Sequence, residues 1–334
     1  MGNLICKICS NEEGNVSFIA KELMFGTQDK FEYFECKKCG CLQINSIPNY
    51  LSKYYPQKSY YSFKGISPPI IHKYFRNLRF FLRKKRSNYL IFRKDYLGKL
   101  IYLLSDKYFE NKICWDWFKK GEVYTESKIL DVGCGSGELL NFLYSQGFNN
   151  LTGIDPYIKN NDIKIGINNN PKIFKKTIDQ LQGDFDFIML HHSFEHMEDP
   201  IFIMKHINRL VKNKHYVLIR TPLADSYAWE KYRTNWVQLD APRHLFIHTI
   251  KSIKKICDLT GFFIDEIVYD STSFQFTGSE LYLKNITLEF AWTKKNGTNS
   301  FFSDEELKTY HKFSIDLNKC NKGDQACFYL KKIN

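Results

Sequence analysis

Hydrophobic positions recur along this chain at different periods, and each period predicts a different element. Near the amino terminus Val16 and Phe18, then Phe31 and Tyr33, alternate with polar neighbours, the spacing of strands. Between His72 and Lys99 the spacing lengthens. Phe75, Leu78, Leu82 and Tyr89 recur at steps of 3, 4 and 7 and predict a helix with one apolar stripe. Arg76, Arg79, Arg83 and Arg86, spaced by 3, 4 and 3, share an adjoining basic face. From Lys128 the pattern turns into short apolar runs. Ile129-Leu130-Asp131-Val132 reads as a strand, Glu138 to Gln146 as a helix that packs through Leu139, Leu140, Phe142 and Leu143, and Leu151 to Ile154 as the next strand. No internal repeat or low-complexity domain interrupts the series.

With 334 residues, 43% apolar and 16% aromatic, the chain has enough material for a large core, which excludes disorder as its dominant state. Lys and Arg number 48 against 36 Asp and Glu, a net +12. Residues 72–99 hold ten of these cations against the single acid Asp95, so one segment supplies +9 and the remainder only +3. That concentration fits an anionic small substrate or a peripheral membrane contact better than a nucleic-acid-coating surface. No run of 18 or more uncharged apolar residues and no signal-like amino terminus is present, so a cytoplasmic location is expected.

Two cysteine pairs carry metal chemistry. Cys6-x-x-Cys9 and Cys36-x-x-Cys39 each present two thiolates one tetrahedral edge apart, and together they fill a Zn2+ site with no open position. Such a metal holds structure and does no chemistry. Cys41 is a spare thiol beside it.

A second signal begins at the first buried run. Asp131-Val-Gly133-Cys134-Gly135-Ser-Gly137 follows a strand and opens a helix, and the next strand ends at Asp155. Glycines let the backbone approach a ligand where a Cβ would clash, and the helix start offers free amides. An acid ending the second strand can accept both hydroxyls of a ribose.

On these residues the chain resembles the class I S-adenosylmethionine-dependent methyltransferases. The resemblance continues through Gly153-Ile-Asp155-Pro156, Phe185 to Pro200, Arg220-Thr221-Pro222, Leu239 to Leu245 and Gly261-Phe262. With the four cysteines, it is similar to a bacterial subgroup common among sugar- and surface-polysaccharide-tailoring enzymes. The resemblance implies an α/β fold: a Rossmann-like seven-stranded mixed sheet, its last antiparallel strand from Gly323 to Leu330, with an amino-terminal zinc-binding module and a helical insertion. The expected divisions are 1–48 for the zinc module, 49–126 for a helical basic lid, and 127–334 for the methyltransferase domain with an insertion at about 275–320.

The resemblance also implies roles. Gly133 and Gly135 would line the methionine part of S-adenosylmethionine, with Asp131 orienting the loop and Cys134 also at the cofactor; Asp155 would bind the ribose, Thr177-Ile178-Asp179 would face the adenine, and His191 would sit near the sulfonium. Arg243 and Asp240 fall where the family places substrate contacts. Methyl transfer to oxygen or nitrogen needs alignment and a place for the acceptor's proton, a role suited to histidine. The candidates are His244, His192 and His196, with Glu195 beside them. Alternatively, His192, Glu195 and His196 share a helical face and could hold a divalent ion. The expected acceptor is a sugar hydroxyl or a substituent on an activated polysaccharide precursor, as in capsule biosynthesis. The competing expectations are ribosomal RNA methylation and a non-catalytic protein that binds a partner through its zinc module and basic helix.

Overall fold

A computed structural model describes residues 4–56, 76–104, 114–158, 163–164 and 171–333. Of the expected basic helix, His72 to Phe75 and the Arg76 side chain lie outside the described residues. The strands, in chain order, are β1 Val16–Lys21, β2 Lys30–Glu35, β3 Leu42–Ile44, β4 Ile129–Val132, β5 Leu151–Ile154 and β6 Ile163–Lys164. There follow β7 Lys172–Phe174, β8 Phe185–His191, β9 Val211–Pro222, β10 Phe246–Ile247, β11 Phe262–Tyr269 and β12 Gln325–Lys332. The helices are α1 Arg76–Phe92, α2 Tyr96–Leu104, α3 Cys114–Lys120, α4 Glu138–Ser145 and α5 Pro200–Leu210. The remaining five are α6 Tyr227–Tyr232, α7 Ile250–Thr260, α8 Phe274–Leu283, α9 Leu288–Trp292 and α10 Asp304–Lys319.

Packing divides the chain into two compact units, one of residues 1–60, 192–204 and 220–328, the other of 61–191, 205–219 and 329–334. The first unit contains a four-stranded sheet in the order β1-β2-β3-β10. Its first two strands carry the alternating residues, β3 is added to them, and all three pair antiparallel, with Phe18 opposite Tyr33 and Tyr33 opposite Ile44. The fourth, β10, comes from far along the chain and pairs Phe246 with Gln43. Tyr33 is fully buried here and donates its hydroxyl to the His244 carbonyl at 2.8 Å. Helix α7 starts at a Thr249–Ser252 capping box and ends at Gly261, whose φ of 76° is the left-handed conformation a helix stop favours.

The other sheet has eight strands in the order β11-β12-β9-β8-β4-β5-β7-β6. Within the second unit β4 pairs in parallel with β5 and β8, and β5 with β7. The expected count of seven becomes eight through β6, two residues paired antiparallel to β7. β4 is buried along its whole length, which is why its sequence is a continuous run and not an alternation. Parallel neighbours need a crossover, and α4 makes the one between β4 and β5.

The basic segment departs from the expected single helix. It breaks at Arg93, whose φ is 58°, and Asp95 then accepts the Gly98 amide at 2.9 Å to start α2. Arg86, one of the four arginines of the expected basic face, is buried and donates to Gln146 Oε1 at 2.5 Å. Leu78, expected on the buried stripe, is exposed. The seam actually used by α1 comprises Arg86, Ser87, Leu90 and Ile91. Among the described residues no helix is long and apolar enough to cross a membrane.

Candidate active site

The glycine loop lies in the second unit, between β4 and α4. Gly133, Gly135 and Gly137 have φ of 78°, 53° and 81°. At Gly137 space is closed as well as conformation, since a Cβ there would meet Ile173 Cδ1 at 2.0 Å. The loop is tied to the end of β5: Gly133 N donates to the Ile154 carbonyl at 2.8 Å and Gly135 N to Asp155 Oδ2 at 3.0 Å. Tyr157 N takes the other Asp155 oxygen at 2.8 Å.

Two carboxyls are therefore buried side by side at the ends of β4 and β5. Burial pushes Asp131 up to about 7, with help from the charge of Asp155, and burial also raises Asp155. Among the described residues neither has an ion pair, and the Asp131 carboxyl accepts no hydrogen bond. Such a pair is expensive to leave without compensation. It suits a ligand that brings positive charge, which S-adenosylmethionine does through its ammonium and sulfonium.

The other residues expected at the cofactor have mixed placements. Cys134 is partly buried, and its Sγ would lie 2.6 Å from a Cβ at Gly153, so that glycine makes room for it. Thr177 and Gln180 form a capping box around a short 3-10 turn. Ile178 is buried within it, and Asp179 is held below the usual carboxylate range by the Thr177 side chain. His191 ends β8 with its ring 4.6 Å from Trp117.

In the first unit, His192, Glu195, His196 and His244 come together, and the hydrogen-bond partners of the three rings place each proton on Nδ1. Arg220 Nη1 contacts His192 Nε2. Because guanidinium only donates, that nitrogen is an acceptor, and the proton sits on Nδ1, 3.3 Å from Glu195 Oε1. His196 Nδ1 lies 2.8 Å from the Arg243 carbonyl and therefore carries a proton, leaving Nε2 bare. Burial, with the neighbouring His244, pushes His196 down to about 4, so it is neutral at physiological pH. His244 Nδ1 lies 2.8 Å from the Gln238 carbonyl and is likewise protonated. Its Nε2 is 3.9 Å from Glu195 Oε1 and 3.8 Å from Asp240 Oδ2.

Glu195 is fully buried at the hub. Burial would raise its carboxyl, but the His192 hydrogen bond and the neighbouring His244 and His196 outweigh that and hold it well below its ordinary value. Thr221 donates to its second oxygen at 3.1 Å. Ligand atoms of Glu195, His196 and His244 lie within 4.8 Å of one another. The metal-capable set is thus Glu195, His196 and His244; the expected His192 is committed to Arg220. His244 joins from far along the chain, which no helical spacing could show.

The two residues expected at the substrate bond each other. Arg243 is wholly buried, and all three of its nitrogens have protein acceptors. Nε donates to both Asp240 oxygens at 3.0 Å, Nη2 to Asp240 Oδ1 at 2.6 Å and Glu22 Oε1 at 2.9 Å, and Nη1 to the Tyr54 carbonyl at 3.2 Å. With every nitrogen bonded inside the protein, Arg243 is tied into the fold, and Asp240 is its partner. Trp229, Tyr232 and Trp236 are buried too, so these aromatics serve as core.

The four cysteines converge as expected. Cys6 and Cys39 sulfurs are 3.6 Å apart, Cys9 and Cys36 sulfurs 3.5 Å, and all four lie within 4.8 Å of one another. These spacings match the edges of a tetrahedral thiolate site for Zn2+. Gln43, missed by sequence reasoning, donates Nε2–H to Cys6 Sγ at 2.9 Å and accepts the Lys7 amide at 2.9 Å, a bond suited to a metal-bound thiolate. Purified protein should carry one zinc per chain. Cys36→Ser should lose it and lower the unfolding midpoint by about 4 °C, the scale of roughly 3 kcal/mol in a chain this size. Zinc-free protein of unchanged stability would contradict the assignment.

Comparison with known proteins adds the following. The methyltransferase-domain family matches residues 72–267, more than half of the chain. A ubiquinone biosynthesis O-methyltransferase of Rickettsia bellii is 34% identical over 103 residues, covering 29% of this chain and 42% of that protein. The Pseudomonas aeruginosa enzyme of the same name is 24% identical over 119 residues, 33% of this chain and 51% of that one. The chain thus spans about half the length of these curated relatives. A solved SAM-dependent methyltransferase from Archaeoglobus fulgidus aligns over 66% of this chain and all of its own at 17% identity, with a TM-score of 0.38.

Proposed function

Because the chain belongs to the methyltransferase-domain family, we propose that it transfers a methyl group from S-adenosylmethionine to a hydroxyl oxygen of a small acceptor, with a sugar or activated sugar precursor as the acceptor class. One observation carries the cofactor half of this reading. Asp131 and Asp155 are buried carboxyls without a cationic partner among the described residues, beside a loop of glycines. When bound, S-adenosylmethionine supplies an electrophilic methyl carbon on a sulfonium. Gly133 and Gly135 leave room for it, Asp155 accepts the ribose hydroxyls, and Asp131 offsets its positive charge.

For the acceptor's proton, the geometry favours His244. Gln238 fixes its Nδ1 proton, so Nε2 is the nitrogen that receives. Glu195 and Asp240, each within 4 Å of Nε2, stabilise the imidazolium that forms. His192 lacks a bare nitrogen, and His196 at about 4 is too weak a base for neutral pH. A second reading rests on the convergence of Glu195 with His196 and His244: a divalent ion held there would orient the acceptor oxygen. Loss of turnover on chelation, restored by Mg2+ or Zn2+, would favour it.

On the acceptor, the relatives' names put ubiquinone precursors in competition with sugars.

Calorimetry tests the cofactor half. The chain should bind S-adenosylmethionine at one site, and Asp155→Ala should weaken binding about 100-fold, as expected for losing two hydrogen bonds to a charged acceptor. Affinity should also rise with pH towards about 7. Asp131 is raised in the free protein, so below that pH it must release a proton before it can neutralise a cation. Affinity unmoved by Asp155→Ala would remove the basis of the assignment.

A further inference from the structure

Helix α2 carries an apolar surface that the described residues do not cover. Tyr96, Leu97, Leu100, Leu103 and Leu104 are all exposed, Tyr96 by 92% and Leu104 by 82%. At a helical period these five fall on one arc of the helix. The opposite side carries Gly98, which is buried where the backbone of α1 approaches closely; a Cβ there would meet the Lys85 carbonyl at 2.3 Å. Tyr102 packs on Tyr89 of α1, the rings tilted by 44° with centroids 5.6 Å apart. The helix is therefore docked through its small and aromatic side and presents its leucines outward. α1 adds exposed Leu78 and Phe81 to the same helical pair. Monomeric proteins rarely expose so many large aliphatic side chains on so short a segment without a partner.

Charge decides what kind of partner. Residues 76–104 hold nine Lys and Arg against Asp95 alone. Three of the nine are used internally: Lys84 pairs with Glu126, Lys85 with Asp95, and Arg86 bonds Gln146. Arg79, Arg83, Arg93, Lys94 and Lys99 have no carboxylate within ion-pair range among the described residues. Lys99 flanks the apolar arc on α2, and Arg93 and Lys94 immediately precede it. A second copy docking face to face would set one strongly positive surface against another. A nucleic acid would leave the leucines with nothing apolar to bury against. We propose that the α1–α2 pair is a docking surface for an anionic lipid bilayer, with the α2 leucines entering the acyl boundary and the surrounding cations meeting phosphate headgroups.

Vesicle sedimentation of the full-length protein tests this. Vesicles with about one third phosphatidylglycerol in phosphatidylcholine should retain the protein at low salt, whereas pure phosphatidylcholine should retain little. Leu100→Asp with Leu104→Asp should reduce retention at least about 10-fold, without change in circular dichroism, since both side chains already face solvent. Lys94→Glu with Lys99→Glu should reduce it comparably and flatten its salt dependence. Failure to bind anionic vesicles, equal retention on neutral ones, or retention that the leucine variant leaves unchanged would overturn the proposal. So would concentration-dependent dimerisation that the leucine variant abolishes, because the occupant would then be a second copy.

Discussion

Arg243→Met should destabilise the protein by about 3–5 kcal/mol, the scale for removing one partner from a buried ion network. The reason lies in what remains. Glu22 and Asp240 would stay in the interior as carboxylates, Glu22 keeping only the amides of Phe25 and Thr27 at 2.9 and 3.0 Å. Burial drives the Asp240 carboxyl up, and Arg243 holds it below its ordinary value; without the guanidinium that compensation disappears. The denaturation midpoint in urea should fall sharply. Arg243→Lys should recover only part, because an ammonium cannot reproduce a fork that serves Asp240, Glu22 and Tyr54 together. Adding Glu22→Gln and Asp240→Asn to Arg243→Met should regain much of the loss, since no unpaired charge is then buried. A loss below about 1 kcal/mol for Arg243→Met would mean that the network contributes little, and would return Arg243 to the substrate candidates.

His244→Ala should lower turnover by about 10²- to 10⁴-fold, the range for removing a general base, while S-adenosylmethionine affinity stays within about 2-fold. The separation follows from their partners, because the glycine loop is tied to Ile154 and Asp155 whereas His244 bonds Gln238. A loss insensitive to chelators supports the base. A loss that wild-type protein reproduces on chelation assigns His244 to a metal with Glu195 and His196. Turnover preserved in His244→Ala would sink both roles, and His196, with its bare Nε2, would be the next residue to test.

What the sequence revealed was what the chain keeps local. The glycine loop and Asp155 fall within one strand–helix–strand unit, so spacing alone placed them together. Each cysteine knuckle is local, a single turn, and the repeated spacing marked the two as partners although their sulfurs meet across 33 and 27 positions. Interactions across the chain were invisible. Arg243 and Glu22 are 221 positions apart, and nothing in Asp240-Ala-Pro-Arg243 distinguishes a ligand contact from an internal one. The amino-terminal sheet reads as a separate module until β10 pairs with β3, a contact that periodicity cannot report. Histidine roles depended on which nitrogen faces a carbonyl or a guanidinium, which is a property of packing. The basic segment shows a different failure: its charge was correctly located, but periodicity assumed an unbroken helix across Arg93, so the outward face of α2 went unseen.

Radiolabelled methyl transfer probes the central claim most directly. Wild-type protein, S-adenosylmethionine labelled in the methyl group and fractionated small-molecule extract of the source organism should give label in a discrete acceptor fraction, resistant to ribonuclease. Asp155→Ala should give almost none under the same conditions. Label confined to RNA would contradict the small-acceptor reading, and an absence of transfer into any fraction by a wild-type chain that fails to bind S-adenosylmethionine would contradict the methyltransferase assignment itself.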